Sequence, residues 1–475
     1  MPSGTLQVYT ALAENAAPLP GVTVLVLNEA GIQIARLTTN DVGSAPELVL
    51  TAPDEAYSLD EANTTVRPYA VYQLRAEMTG FQTIELEGVQ VFAGHQTVAR
   101  LQFLPAARTL PEVEPETIPE HPLFAGDGGS GPPPIGQCAD ARVLSEVVVP
   151  KKITVHLARP AVSAANVTVS FQDYIANVAS SEVYPTWPEQ ALRANILAQI
   201  SLALNRIWTE WYPSRGYSFN ITNSPGVDQA YVRGRTVFAV MERLTAELFN
   251  TYVRRTGDTE PYYTEYCDGK SVTCPGMKQW GTVDRAKEGK SALEILRYYY
   301  GSRVQLVTTN NIASIPQSYP GSPLRRGSTG TAVNVLQKQL SRIAKDYPSF
   351  GKPAITGTFD EATENSVKKF QKQFSLTVDG VVGKATWYKI SYIYVSVKDL
   401  AELTSEGETF TGAQSAGRGR EPCCAAAVPG GAWSRCSSGC PAWRSLIPIC
   451  RPSVWMAALA RPRNARSRHS RNRRV

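Results

Sequence analysis

The stretch YPTWPEQALRANI, residues 184–196, sets a carboxylate at the head of a long apolar segment. A carboxyl group partly removed from water keeps its proton near neutral pH and can act as a general acid. Glu189 also has a structural explanation. Thr186-x-x-Glu189 has capping-box spacing, with Pro188 in the first turn, where a missing N–H costs nothing. The capping reading is preferred for Glu189. Glu182, in SSEVYP, is a second acid close by, whereas Gln190 is an amide that cannot donate and retrieve a proton. Cys267 and Cys274, in CDGKSVTC, are spaced for a short disulfide loop if the compartment is oxidising, and for two free thiols otherwise. No histidine lies between His156 and His469, so neither a metal site nor a cofactor is expected.

The elements that must position these groups follow from periodicity. Leu192, Ile196, Ile200, Leu204, Ile207 and Trp211 recur at helical spacing, which predicts a helix from residue 189 to about 211. Ala194, Leu197, Ala198 and Leu202 fill its flanks, so most of its circumference is expected to be buried. A further helix is predicted from about 235 to 255, and SALEILRYYY opens on the capping box Ser291-x-x-Glu294. Residues 4–105 alternate or run apolar in short stretches such as TLQVYTAL, GVTVLVLN and YAVYQLRAE, a strand pattern. Near the other end, Val333, Leu336, Leu340, Ile343 and Tyr347 share one helical face, as do Val367, Phe370 and Phe374, and Asp360 is placed to cap the second of these helices.

The net charge of +6 is an average over unlike parts. From Thr411 onward there are twelve Arg, no Lys and one acid, while the first 410 residues are net −5. Five of the eight cysteines also lie in this tail, without regular Cys-x-x-Cys pairs. Such a tail gives salt-dependent, nonspecific nucleic-acid binding at best. No stretch is apolar for long enough to span a membrane, and the opening MPSGTLQVYTALAEN has no basic or apolar signal-peptide region.

Three resemblances add to this reading. GTFDEATENSVKKFQKQFSLTVDGVVGKATWYKI looks like the type 1 peptidoglycan-binding domain, matching its pattern at Gly357, Phe359, Asp360, Thr363, Phe370, Gln371, Asp379, Gly380, Val382, Gly383, Thr386 and Trp387. Phe359, Phe370 and Trp387 are expected to pack its core. FQDYIANVASSEVYPTWPEQALRANILAQISLALNRI and CPGMKQWGTVDRAKEGKSALEILRYYYG resemble the stage II sporulation protein D family of lytic transglycosylases and amidase enhancers. That resemblance implies one carboxyl group, which protonates the glycosidic oxygen and then takes the proton of the muramic acid 6-hydroxyl as it attacks C1. One family acid falls on Gln190 and the other on Glu182. It also implies that Gln190, Gln229 and Tyr231, and the KQWG residues Gln279 and Trp280, face the glycan. Residues 4–105 resemble carboxypeptidase regulatory-like, transthyretin-like β-sandwiches, which implies a spacer or adhesion module.

The expected architecture is multidomain: an all-β sandwich over 1–105, a Pro/Gly/acidic linker over 106–137, an α+β domain over 138–312, a small three-helix all-α domain over 322–403 and a disordered basic tail over 404–475. The expected function is peptidoglycan binding in the bacterial cell wall or spore, with a degenerate transglycosylase-like domain in which Glu182 and Glu189 are the catalytic candidates. An active transglycosylase is the alternative, and nucleic-acid binding through the tail the second. Glycan strands are the expected partner.

Overall fold

The computed structural model describes residues 1–106, 115–125, 144, 146–316, 318–345, 347–374 and 376–397. The tail read over 404–475, and the nucleic-acid alternative with it, lie outside the described residues.

Period-two burial builds the first hundred residues. In β1 (Ser3–Leu12), Leu6, Val8 and Thr10 turn inward between more exposed neighbours, and Val24 and Val26 do the same in β2 (Thr23–Asn28). β3 (Gln33–Thr38), β4 (Leu48–Thr51), the short helix α1 (Ala56–Leu59), β5 (Ala70–Glu77), β6 (Ile84–Val91) and β7 (Gln96–Phe103) follow. One sheet contains β4, β1 and β7, with β1 and β7 parallel, and the other runs β3-β2-β5-β6, antiparallel throughout. Side chains from both sheets share one apolar cluster that includes Leu6, Val24, Leu74, Leu86 and Phe103.

Residues 115–125, read from composition as linker, are folded. β8 (Glu116–Thr117) adds to β6 in parallel, and Ile118, His121 and Leu123 are buried ahead of and within α2 (Pro122–Ala125). The averaged composition of residues 106–137 hid this short apolar run. Gly88 admits it: at φ +77° it lets the Ile118 carbonyl oxygen come within 2.1 Å of where a Cβ would sit.

The next segment contains β9 (Val149–Pro150), β10 (Lys152–His156), β11 (Asn166–Ser170), α3 (Phe171–Glu182), α4 (Glu189–Trp208), β12 (Ile221–Thr222), β13 (Val237–Phe238), α5 (Ala239–Leu248), β14 (Thr251–Arg255), β15 (Tyr266–Cys267), β16 (Met277–Lys278), α6 (Gln279–Lys287), α7 (Ala292–Tyr300), β17 (Val304–Thr308) and β18 (Ile312–Ala313). Helix α4 is its axis. Every residue of α4 except Glu189, Gln190 and Arg193 is buried, and α3, α5, α6, α7 and β14 pack around it.

Two expectations change here. The helix predicted to reach about residue 255 stops at Leu248, because TYVRR pairs as β14 with β17 and buries Tyr252 and Val253. Helix α4 ends at Trp208 rather than near 211. There Glu210 adopts φ +47°, while the Trp211 and Glu210 amides bond the Arg206 and Ile207 carbonyls in a Schellman turn.

The N-terminal sheets are joined to this segment. β13 extends the first sheet beyond β7, pairing Phe238 with Thr97. Phe92 packs on Tyr69, Tyr184 and Phe238, and Arg235 donates to Gln90. The chain then closes with α8 (Thr331–Ile343), α9 (Glu361–Gln373) and α10 (Lys384–Val397), whose core includes Val333, Leu336, Phe359, Phe370 and Trp387. The protein is thus multidomain, with substantial sheet and a helical C-terminal region. Among the described residues no helix is long and apolar enough to cross a membrane.

Candidate functional site

Glu182 is the last residue of α3, and its side chain is only 7% exposed. Three elements supply donors to it. The Gln199 amide of α4 donates to Oε2 at 2.7 Å, the Tyr266 hydroxyl of β15 to Oε2 at 2.8 Å, and the Ala230 backbone N–H to Oε1 at 2.8 Å. Burial raises the carboxyl to about 7, against the opposing pull of these three donors. A buried acid poised at neutrality can both deliver and recover a proton.

Gln229 organises the surroundings. Its Nε2 donates to the Tyr266 hydroxyl at 2.9 Å and to the Gln199 carbonyl at 3.1 Å, and its Oε1 accepts from the Tyr174 hydroxyl at 2.9 Å. Fully buried and bonded at both ends, it positions Tyr266 instead of facing a glycan. Tyr231 is buried against Tyr174, ring centroids 5.7 Å apart. The neighbouring Asp228 is committed to structure: it pairs with the buried Arg206 at 2.8 Å and accepts from Thr222 and Tyr212.

Gln279 and Trp280 open α6, and Trp280 packs on Trp187 and Tyr184. Gln279 Nε2, Trp280 Nε1, Gln199 Oε1, Asn195 Oδ1 and Ser181 Oγ are buried with no hydrogen-bond partner among the described residues. Asn195 and Gln199 are one turn apart on α4, and Ser181 precedes Glu182. Buried polar atoms are seldom left unpaired, and two of these belong to residues beside the acid: Gln199, which bonds Glu182, and Ser181, its chain neighbour.

The structure separates Glu189 from this arrangement. Its carboxylate is half exposed and pairs with Arg193 at 2.8 Å and Arg243 at 2.9 Å, which hold it below the usual carboxylate range. An anion of that kind is a poor proton donor. The expected capping box does not form either: Pro188 is the N-cap without a side-chain bond, and the Thr186 hydroxyl bonds Ser58 instead. Gln190 accepts from the Ala292 N–H at 2.9 Å and so caps α7, whose own Ser291–Glu294 capping box is complete.

Cys267 and Cys274 form a disulfide beside Tyr266. Sequence reasoning singled out Glu182 but not Gln199 and Tyr266, which bond it from 17 and 84 residues away. Only the polar residues inside an otherwise apolar α4 pattern hinted at the first.

In the helical region, Asp360 caps α9 through the Thr363 N–H, and the Thr363 hydroxyl, with that N–H, holds its carboxyl below the usual range. Gln371 clamps the turn before α10, donating to Asp379 and accepting from the Gly380 N–H. Phe370 and Trp387 are buried, and the Trp387 indole donates to the Ser318 hydroxyl. All five residues are occupied by the fold of this region.

Among known proteins, the chain is 24% identical over 165 residues to the N-acetylmuramoyl-L-alanine amidase CwlL of Bacillus licheniformis, covering 35% of this chain and 44% of the amidase. It is 41% identical over 68 residues to the zinc D-Ala-D-Ala carboxypeptidase of Streptomyces albus G, covering 14% of this chain and 25% of that enzyme. The chain thus spans less than half the length of either. The Bacillus anthracis TIE protein aligns over 22% of this chain and 17% of its own at 17% identity, with a TM-score of 0.16. Residues 329–390 match the family model described as "Putative peptidoglycan binding domain", so the helical region is a peptidoglycan-binding domain.

Proposed function

We propose that the protein cleaves the glycan strands of peptidoglycan by transglycosylation, with Glu182 as its single acid and base and the helical domain holding the polymer. The raised, buried Glu182 carboxyl carries this reading. The resemblance to stage II sporulation protein D and the partial similarity to two wall-directed enzymes support it.

Protonated Glu182 gives its proton to the bridging oxygen as the C1–O bond breaks. The resulting carboxylate then takes the proton of the C6 hydroxyl as that oxygen bonds to C1, which closes a 1,6-anhydro ring and restores the acid. No water is consumed, so a second carboxylate is unnecessary. Tyr266 and Gln199 stabilise the carboxylate formed midway. The unpartnered atoms of Gln279, Trp280 and Asn195 suit sugar hydroxyls and acetamido groups. The N-terminal sheets are read as a carboxypeptidase regulatory-like module that walls this domain.

Binding without cleavage is the second reading, favoured by the low exposure of Glu182 and the occupation of both its oxygens. Incubating the protein with peptide-stripped peptidoglycan separates the two. Mass spectrometry is expected to find 1,6-anhydromuramic products from the wild type and from Glu189→Gln, and none from Glu182→Gln. A wild type that sediments with the glycan yet releases nothing would establish the binding reading.

A further inference from the structure

A cavity of about 670 Å³ lies between the Glu182 domain and the peptidoglycan-binding domain, and Glu182 does not line it. Its size is that of a small-molecule site. One wall is the start of β10 with the 213–220 loop, and the other is α10. Lys151 and Lys152 stand on the first wall and Lys384 on the second. All three are exposed, and none makes an ion pair among the described residues. Deeper in, the lining reaches Arg206. Its Nε is held by Asp228, but its Nη1 is buried without a hydrogen-bond partner among the described residues. Tyr217, half buried, and Tyr388 supply aromatic surface. The one carboxylate in the lining, Glu210, accepts from the Ser318 N–H at 3.1 Å and its hydroxyl at 2.5 Å.

We propose that this cavity is a second glycan subsite, distinct from the Glu182 site, that takes the carboxylate groups of a muramyl saccharide: Lys151, Lys152 and Lys384 meet the charge, and Tyr217 the face of a sugar ring. The Arg206 charge is met by Asp228, so three unpaired ammonium groups face one occupied carboxylate, which favours an anion over a neutral chain. Because α10 belongs to the peptidoglycan-binding domain, a strand held there passes along this wall. The proposal rests on the reading that the ligand is peptidoglycan. The carboxylate belongs either to the lactyl group or to the stem peptide.

The test uses the full chain carrying Glu182→Gln, so that ligand is not consumed, with and without Lys151→Gln, Lys152→Gln and Lys384→Gln together. Calorimetric titrations compare soluble peptide-free muramyl glycan, stem-peptide-bearing fragments, and chitooligosaccharide, which shares the backbone but lacks the carboxylate. The triple change is expected to weaken muramyl binding about tenfold at low salt and leave chitooligosaccharide binding unchanged. Weakening with peptide-free glycan assigns the lactyl carboxylate, and weakening only with peptide-bearing fragments assigns the stem peptide. Muramyl binding that ignores the lysines, or that falls equally for chitooligosaccharide, overturns the subsite. Failure to bind any of the three overturns the proposed function with it.

Discussion

Glu182 links the chemistry to a pH dependence that runs in one direction. Its folded value near 7 lies above its ordinary 4.5, so the folded state binds the proton more tightly than the unfolded chain. The stability this contributes is complete below about 4.5 and is lost as pH rises through about 7. Glu182→Gln removes the dependence and is expected to be more stable than the wild type at pH 8 by about 3 kcal/mol, with the gap closing below pH 5. Urea unfolding at both pH values measures it, and a gap independent of pH would show that the carboxyl titrates normally. In the proposed mechanism the protonated form starts the reaction, so cleavage should fall as pH rises through the same range. The unpartnered Gln199 Oε1 gives the acid a second setting: a flip of that amide lets Gln199 accept from the protonated carboxyl where it now donates to the carboxylate. Glu182 is a candidate in the sequence because SSEVYP matches a family acid. Its partners were not, because they converge from α4, β15 and the residue 230 backbone only once the chain is folded.

Among the elements, local patterns were legible wherever the deciding bond is local. The Ser291–Glu294 box and the Asp360 cap form as their spacing predicts. Thr186-x-x-Glu189 has the same spacing and fails, because Ser58, 128 residues away, takes the threonine hydroxyl and two arginines take the glutamate. Position 190 shows the same limit. Aligned by sequence, Gln190 reads as a lost acid, yet its bond to the Ala292 N–H assigns it to the start of α7. Gln190→Glu should therefore keep that bond, add a favourable charge at a helix N-terminus, and stabilise the protein by about 0.3–1 kcal/mol. Product yield should not change. A marked gain in cleavage by Gln190→Glu would return this position to the catalytic machinery. Glu210 is a related case: a non-glycine residue at φ +47° gives no sequence signal for a helix end, and its carboxylate anchors Ser318 on the way to α8.

Across the whole molecule, the question is whether the N-terminal sheets are a tethered bead or part of the body. As a spacer they would melt alone. Their edge strand β7 is instead completed by β13, and the Phe92 ring sits among Tyr69, Phe238 and Tyr184, the last of which is two residues beyond Glu182. Arg100 pairs with Glu242 of α5 across the same boundary, and the Trp187 indole donates to the Ser58 carbonyl. Sequence patterning could not reveal this, because a strand of two residues leaves no periodic trace and aromatic residues at a domain boundary read like ordinary core. A shared sheet and a shared aromatic cluster couple the two folding equilibria. Calorimetry is expected to show the sheets and the Glu182 domain unfolding in one transition. Phe92→Ala should lower that transition as a unit, by about 3–5 kcal/mol of stability. Two transitions, of which Phe92→Ala moves only the N-terminal one, would make the sheets a spacer after all. One transition means that the same aromatic cluster that seats the sheets also fixes the turn between Glu182 and α4, so Phe92→Ala should reduce cleavage without touching any group that bonds the acid.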